Sequence, residues 1–243
     1  MGILDNLLNK AANAAQSGVR KAAGAAANGI SNAAAGGLAA AANGVKTAGS
    51  ANVRAAQAAG EAASGSGVTM TTGKTSQGYP SVTVTFDALP SSLAELQAAP
   101  LADLQTPYGT AALTVAALNQ YEANRAAALE MVNFLRGPRP LSAHEEQFIR
   151  DRLAGKMYVI RSYWAGTSPQ NNYTPTLPYS ITFYEDPYSY QSEGYCRLNC
   201  RSSGADSPRQ IMLRKKESTG EWFLWENYLL PDIRIPAEAD PWA

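Results

Sequence analysis

Apolar positions change their spacing twice along this chain, and each spacing predicts a different kind of structure. In residues 1–61 the branched apolar residues are sparse and recur every eleven positions, with Leu8, Val19 and Ile30 in register. The units KAANAAQSGVR (Lys10–Arg20) and KAAGAAANGIS (Lys21–Ser31) repeat directly, and NAAAGGLAAAANGVK (Asn32–Lys46) is a degraded continuation. Eleven residues make about three helical turns, so these side chains stay on one face with little drift. The pattern predicts an Ala-rich amphipathic arm with a thin apolar stripe. Each interior glycine costs a helix roughly 1 kcal/mol relative to Ala, so the expected helix is partial. Ile3, Leu4, Leu7 and Leu8 add an apolar face at the front. With Val19 and Ile30 they are the expected residues for membrane-surface contact or self-association. Residues 62–77 (AASGSGVTMTTGKTSQ) read as a flexible Gly/Ser/Thr linker.

From residue 78 onward the chain reads as one α+β domain, 78–243. Ser81–Asp87 (SVTVTFD) alternates and predicts a strand. A short helix follows Ser91 or Ser92 and stops at Pro100. Thr106-Pro107 opens a helix to about Gln120, because proline suits the first turn. Ala123–Leu135 is amphipathic and ends at Gly137-Pro138. Ser142 with Glu145 forms a capping box for a further helix carrying Phe148, Ile149 and Leu153. The spacing then turns to alternation. Met157–Tyr163 reads as a strand, Ala165–Tyr179 as a long loop, and Tyr179–Tyr184, Tyr195–Arg201, Gln210–Lys216 and Trp222–Asn227 as strands. Helices followed by hairpin-linked strands predict an antiparallel β-meander. The order is loosely similar to NTF2-like cone folds.

Composition narrows the function classes. Lysine plus arginine number 20, aspartate plus glutamate 20, so net charge is zero and no nucleic acid is expected as a partner. The N-terminus carries an acid at Asp5 and lacks a secretory signal pattern, and the Ala-rich stretch is too polar for a membrane span. The two cysteines, Cys196 and Cys200, are no disulfide framework; reduced thiols fit a cytoplasmic protein. No glycine-rich phosphate loop follows a strand, and no cofactor or metal is expected.

Candidate chemistry is thin. His144, the sole histidine, falls in the first turn of a predicted helix. Strand alternation puts Cys196, Leu198 and Cys200 on one face as core residues. Tyr195, Arg197, Asn199 and Arg201 take the other face. With Gln210, Met212, Arg214 and Lys216 alongside, the sheet would present a basic surface for an anionic or peptide ligand. The competing expectation is a solvated face whose arginines oppose Glu193, Glu217 and Glu221. Trp222, Phe223 and Trp225 cannot all face inward. The loop Gly166–Pro175 and the turn Gly204–Gln210 are the other candidate functional segments. The resulting ligand-binding set is Arg161, Tyr163, Asn171, Asn172, Arg197, Arg201, Arg209 and Arg214.

Four phrases carry a resemblance: FLRGPRPLS (Phe134–Ser142), GKMYVIRSYWAGTSPQNNYTP (Gly155–Pro175), GADSPRQIMLRKK (Gly204–Lys216) and GEWFLWENYLLPDIRIP (Gly220–Pro236). Across Tyr108–Trp242 the chain resembles a bacterial family from gut anaerobes that is defined as a domain of unknown function. The resemblance implies an intracellular bacterial protein and brings no activity with it. The expected function is a non-enzymatic binding module for a protein, peptide or small anion, with an arm that tethers or self-associates. Two alternatives stand beside it. One is a small-molecule enzyme with an aromatic-lined pocket, using Glu185, Asp186 or Asp206 as acid or base and Arg161 as electrophile. The other is a peripheral membrane adaptor working through the arm.

Overall fold

A computed structural model describes residues 67–242. The arm residues, including Ile3, Leu4, Leu7, Leu8, Val19 and Ile30, lie outside the described residues.

Six strands form one antiparallel sheet in sequence order: β1 (Val68–Lys74), β2 (Pro80–Phe86), β3 (Tyr179–Tyr184), β4 (Tyr195–Cys200), β5 (Arg209–Lys215) and β6 (Trp222–Asn227). The helices are inserted between the adjacent strands β2 and β3. They are α1 (Leu93–Ala98), α2 (Pro107–Asn119), α3 (Arg125–Arg136), α4 (Ala143–Leu153) and the single turn α5 (Tyr158–Arg161). The architecture is therefore α+β, with helices preceding a strand meander.

Two sequence expectations need correction. The supposed linker contains β1, paired residue for residue with β2 from Val68↔Phe86 to Lys74↔Pro80. Its composition hides it, since only Val68 and Met70 are buried core residues and threonines fill the remaining positions of the strand's first half. The segment Met157–Tyr163 is helical, not extended. Its buried apolar residues Met157, Val159, Ile160 and Tyr163, with Trp164 just beyond, recur at spacings of three and four, which is a helical pattern.

The core forms where α2 packs on the inner face of the sheet. Every residue from Pro107 to Leu118 is buried, as expected for a helix that is apolar on all sides. Alternation supplies the sheet's side of that core. Val82, Val84 and Phe86 face inward on β2, Cys196, Leu198 and Cys200 on β4, Ile211 and Leu213 on β5, Trp222 and Leu224 on β6. The Thr110 hydroxyl donates to the Trp222 carbonyl at 2.8 Å, fixing the helix to β6. Thr106 caps α2 by accepting from the Gly109 amide at 2.9 Å, and it is buried. Thr106→Ala is expected to cost about 1–2 kcal/mol in a urea unfolding curve; a loss below about 0.5 kcal/mol would show that this cap contributes little.

Candidate functional site

The sheet's outer face divides in two. On β1–β3 it carries hydroxyls: Thr83 meets Thr182 at 2.7 Å and Thr85 meets Ser180 at 2.9 Å. On β4–β6 it carries arginine and aromatic rings. There Tyr195 lies opposite Arg214, and Arg214 lies opposite Phe223. A bulge at Met212/Leu213 breaks the register of β5 with β6. Trp222 and Leu224 stay in the core, while Trp225 meets Tyr195 edge-on at 5.7 Å between ring centres.

Two guanidinium groups stack on that indole. Arg214 sits 4.8 Å from the Trp225 ring centre and 5.4 Å from Tyr195. Arg139 sits 4.4 Å from Trp225. It arrives from the α3–α4 connection, which the sheet pattern does not contain. Gly137 turns the chain there with φ of 57°, the Arg136 Nε donates to the Arg139 carbonyl at 2.9 Å, and Arg136 pairs with Glu145 at 2.7 Å. Burial pushes the Glu145 carboxyl up, but the Ser142 hydrogen bonds and the two arginines outweigh it and hold it below the usual range.

Between this connection and the β5–β6 hairpin lies an open cleft of about 530 Å³. Phe223, Leu224 and Trp225 supply its apolar wall; Arg136, Arg139, Arg214, Lys215 and Lys216 surround it, with Glu217 the one acid among the described residues. Arg139 shares Glu145 and Glu226, at 3.7 and 3.5 Å. Among the described residues Arg214, Lys215 and Lys216 make no ion pair, and Glu193, Glu217 and Glu221 pair with none of the outer-face arginines. Arg214, stacked and with its donors left over, is suited to a carboxylate ligand beside the two lysines.

The eight expected ligand residues do not converge. Arg214 is in the cleft. Arg201 lines a separate cavity at the β1–β2 turn. Arg197 is 4.0 Å from Asp186, with its buried Nε unpartnered. Arg209 is a structural clamp, donating to the carbonyls of Ser207, Pro231 and Asp232 at 2.9–3.1 Å. Tyr163 is a core residue whose hydroxyl donates to the Leu229 carbonyl, and burial pushes its phenol up. Asn171 closes a capping box with Ser168, and Asn172 donates to Glu238 at 2.5 Å. Both shape the loop Gly166–Pro175. Arg161 is exposed at the end of α5.

The carboxylates of the enzymatic alternative are likewise dispersed. Asp206 pairs with Arg234 on the surface. Asp186 accepts from the Asn199 amide at 2.9 Å. Glu185 is buried and accepts from the Tyr108 and Tyr190 hydroxyls. Burial pushes its carboxyl up; the two tyrosine hydrogen bonds oppose this without cancelling it. Cys196 and Cys200 are free, buried thiols pushed up by desolvation, so they are not poised as nucleophiles. Among the described residues no group of three or more His, Cys, Asp and Glu is placed to hold a metal ion, and no helix is long and apolar enough to cross a membrane.

These features define an α+β domain whose helices α2 and α3 pack on one face of a meander and whose other face carries hydroxyl, arginine and aromatic side chains. The chain belongs to the family described as a domain of unknown function (DUF6935), whose family model matches residues 88–237. That span takes in α1–α5 and β3–β6, and leaves β1 and β2 outside it. No curated protein and no solved structure matches the chain.

Proposed function

We propose that this domain is a non-enzymatic, cytoplasmic binding module that holds an acidic peptide segment of a partner protein in the Arg139–Trp225–Arg214 cleft. In this reading residues 1–61 tether or self-associate it. The observation that supports it is the pair of guanidinium groups stacked on Trp225 beside Lys215 and Lys216. Stacking fixes both arginines at little entropic cost; Arg139 is already held by Glu145 and Glu226, and the edge of Arg214 is left to receive a carboxylate. The cleft is open, which suits a chain passing through it better than an enclosed small molecule. Buried, unbridged Cys196 and Cys200 favour a reducing compartment.

The test is panning a random-peptide display library against the full chain. Recovered peptides should be enriched in Asp and Glu. Their affinity should fall roughly tenfold or more with Arg214→Ala, the worth of one charge-assisted contact. Lys215→Ala with Lys216→Ala should mainly flatten the salt dependence. Peptides without acidic enrichment, or affinity indifferent to Arg214→Ala, would reject the reading. The membrane-adaptor alternative predicts helicity that rises with anionic vesicles; a circular dichroism spectrum unchanged by lipid removes it.

A further inference from the structure

A second cavity lies at the other end of the outer face, sharing no residue with the cleft above. The β1–β2 turn curls over the hydroxyl half of the sheet and is held by its own bonds. The Thr75 amide donates to the Tyr79 carbonyl at 2.9 Å, and the Tyr79 amide donates back to the Thr75 hydroxyl at 3.1 Å. Beneath the turn, Thr182 and Tyr184 of β3 and Arg201 after β4 complete a hollow of about 350 Å³. Its wall offers hydroxyls from Ser76, Ser81 and Thr182, and cations from Lys74 and Arg201.

Charge decides what this hollow accepts. Among the described residues no carboxylate lines it. Among the described residues neither Lys74 nor Arg201 forms an ion pair. The nearby acid Asp186 is engaged by Asn199 at 2.9 Å and by the Tyr188 amide at 2.7 Å. Two positive charges thus share one hollow without a counter-charge. A phosphate monoester carries about −1.5 to −2 at neutral pH, which matches two cations, whereas a single carboxylate would leave one unmatched. Arg201 offers the planar fork that suits phosphate oxygens, and Lys74 a point charge. The rest of the wall is hydroxyl-rich, which complements a hydroxylated ligand body. The volume is at the small end of ligand pockets, roughly 300–1,000 Å³, and so excludes a folded partner.

We propose that the hollow under the β1–β2 turn is a binding site for a soluble polyol phosphate of the sugar-phosphate class, with Lys74 and Arg201 holding the phosphate and the Ser/Thr wall meeting the hydroxyls. This site stands apart from the proposed peptide cleft, and either can fail without the other. It also gives β1 and β2, which lie outside the family match, a functional part.

The experiment is an amide chemical-shift titration of the full chain with glucose 6-phosphate, inorganic phosphate and glucose. Glucose 6-phosphate should move the resonances of Ser76, Gln77 and Thr182, inorganic phosphate should bind more weakly, and glucose should not bind. Lys74→Ala and Arg201→Ala, both at exposed positions, should each weaken binding by about tenfold or more. Their otherwise unchanged spectra would certify folding. Absence of shifts with either phosphate, affinity unaltered in both variants, or shifts confined to the Arg214 cleft would overturn the proposal. Inorganic phosphate binding as tightly as the sugar phosphate would overturn the polyol assignment. Retention on vesicles carrying phosphatidylinositol 4-phosphate that excess soluble sugar phosphate fails to release would overturn the soluble-ligand assignment.

Discussion

Replacing Glu185 by Gln is expected to remove one contribution to stability, which the native protein should lose as pH rises above about 4.5, the carboxyl's ordinary value. The Glu185 side chain is buried under α2, accepting from Tyr108 at the helix's first turn and from Tyr190 at 2.9 Å. Burial disfavours the charged form and raises the folded-state pKa. The sign follows from proton binding. A folded state that holds the proton more tightly than the unfolded chain is favoured at low pH, and the advantage is lost as pH rises through the folded pKa. Glu145 and Glu95 have lowered values and act oppositely, losing their contribution as pH falls. The difference between native protein and Glu185→Gln across pH 4 to 8 isolates the one group. Glutamine keeps an acceptor for the tyrosine hydroxyls without the charge. Glu185→Ala does not: it leaves the buried Tyr108 hydroxyl unpaired and opens a cavity, at a cost of roughly 2–4 kcal/mol. Denaturation curves of the three proteins check this. A native-minus-Gln difference that is flat with pH would show that Glu185 does not titrate in the folded protein differently from the unfolded chain.

That buried carboxylate illustrates how much of the molecule was legible in the sequence. Local rules worked where the determining contacts are local. Ser142 and Glu145 form the expected capping box, and Thr106 before Pro107 caps α2. The alternation of β4 correctly sends Cys196 and Cys200 inward and Tyr195 and Arg197 outward. The same alternation could not show which outward residues are engaged. Arg209 is an expected ligand residue in its turn, yet its partners, the Pro231 and Asp232 carbonyls, come from the segment after β6. Arg139 falls between two predicted helices, and nothing in that position shows that it stacks on Trp225 across the fold. The pairing of Glu185 with Tyr108 spans 77 positions. Strand β1 was hidden for a compositional reason. Its threonines satisfy the pleat as well as a linker's polarity, and only its pairing with β2 distinguishes the two. Sites built from such distant contacts have no spacing signature, so the cleft and the hollow emerge only once the sheet is assembled.

Gly137→Ala should damage the cleft and the fold together, and a second glycine supplies the control. Gly137 ends α3 with φ of 57° and ψ of −119°, a region essentially reserved for glycine. A Cβ there would lie 2.4 Å from both Cδ1 and Cε1 of Phe223. That ring belongs to the cleft wall and sits opposite Arg214, so relief of the clash displaces the surface on which the ligand would rest. Strain and overlap add, for an expected loss of roughly 3 kcal/mol or more. Gly155 also has positive φ, at 66°, but a Cβ there meets nothing within 4 Å. Gly155→Ala should therefore show backbone strain alone, about 1 kcal/mol. The comparison separates the two causes. If unfolding experiments place the variants within about 0.5 kcal/mol of each other, the close approach of Phe223 to Gly137 is not a constraint on the protein. If Gly137→Ala is the costlier and also weakens acidic-peptide binding while Gly155→Ala does not, then the tight turn after α3 sets the position of both Phe223 and Arg139. The cleft would then depend on a glycine that contributes no side chain to it.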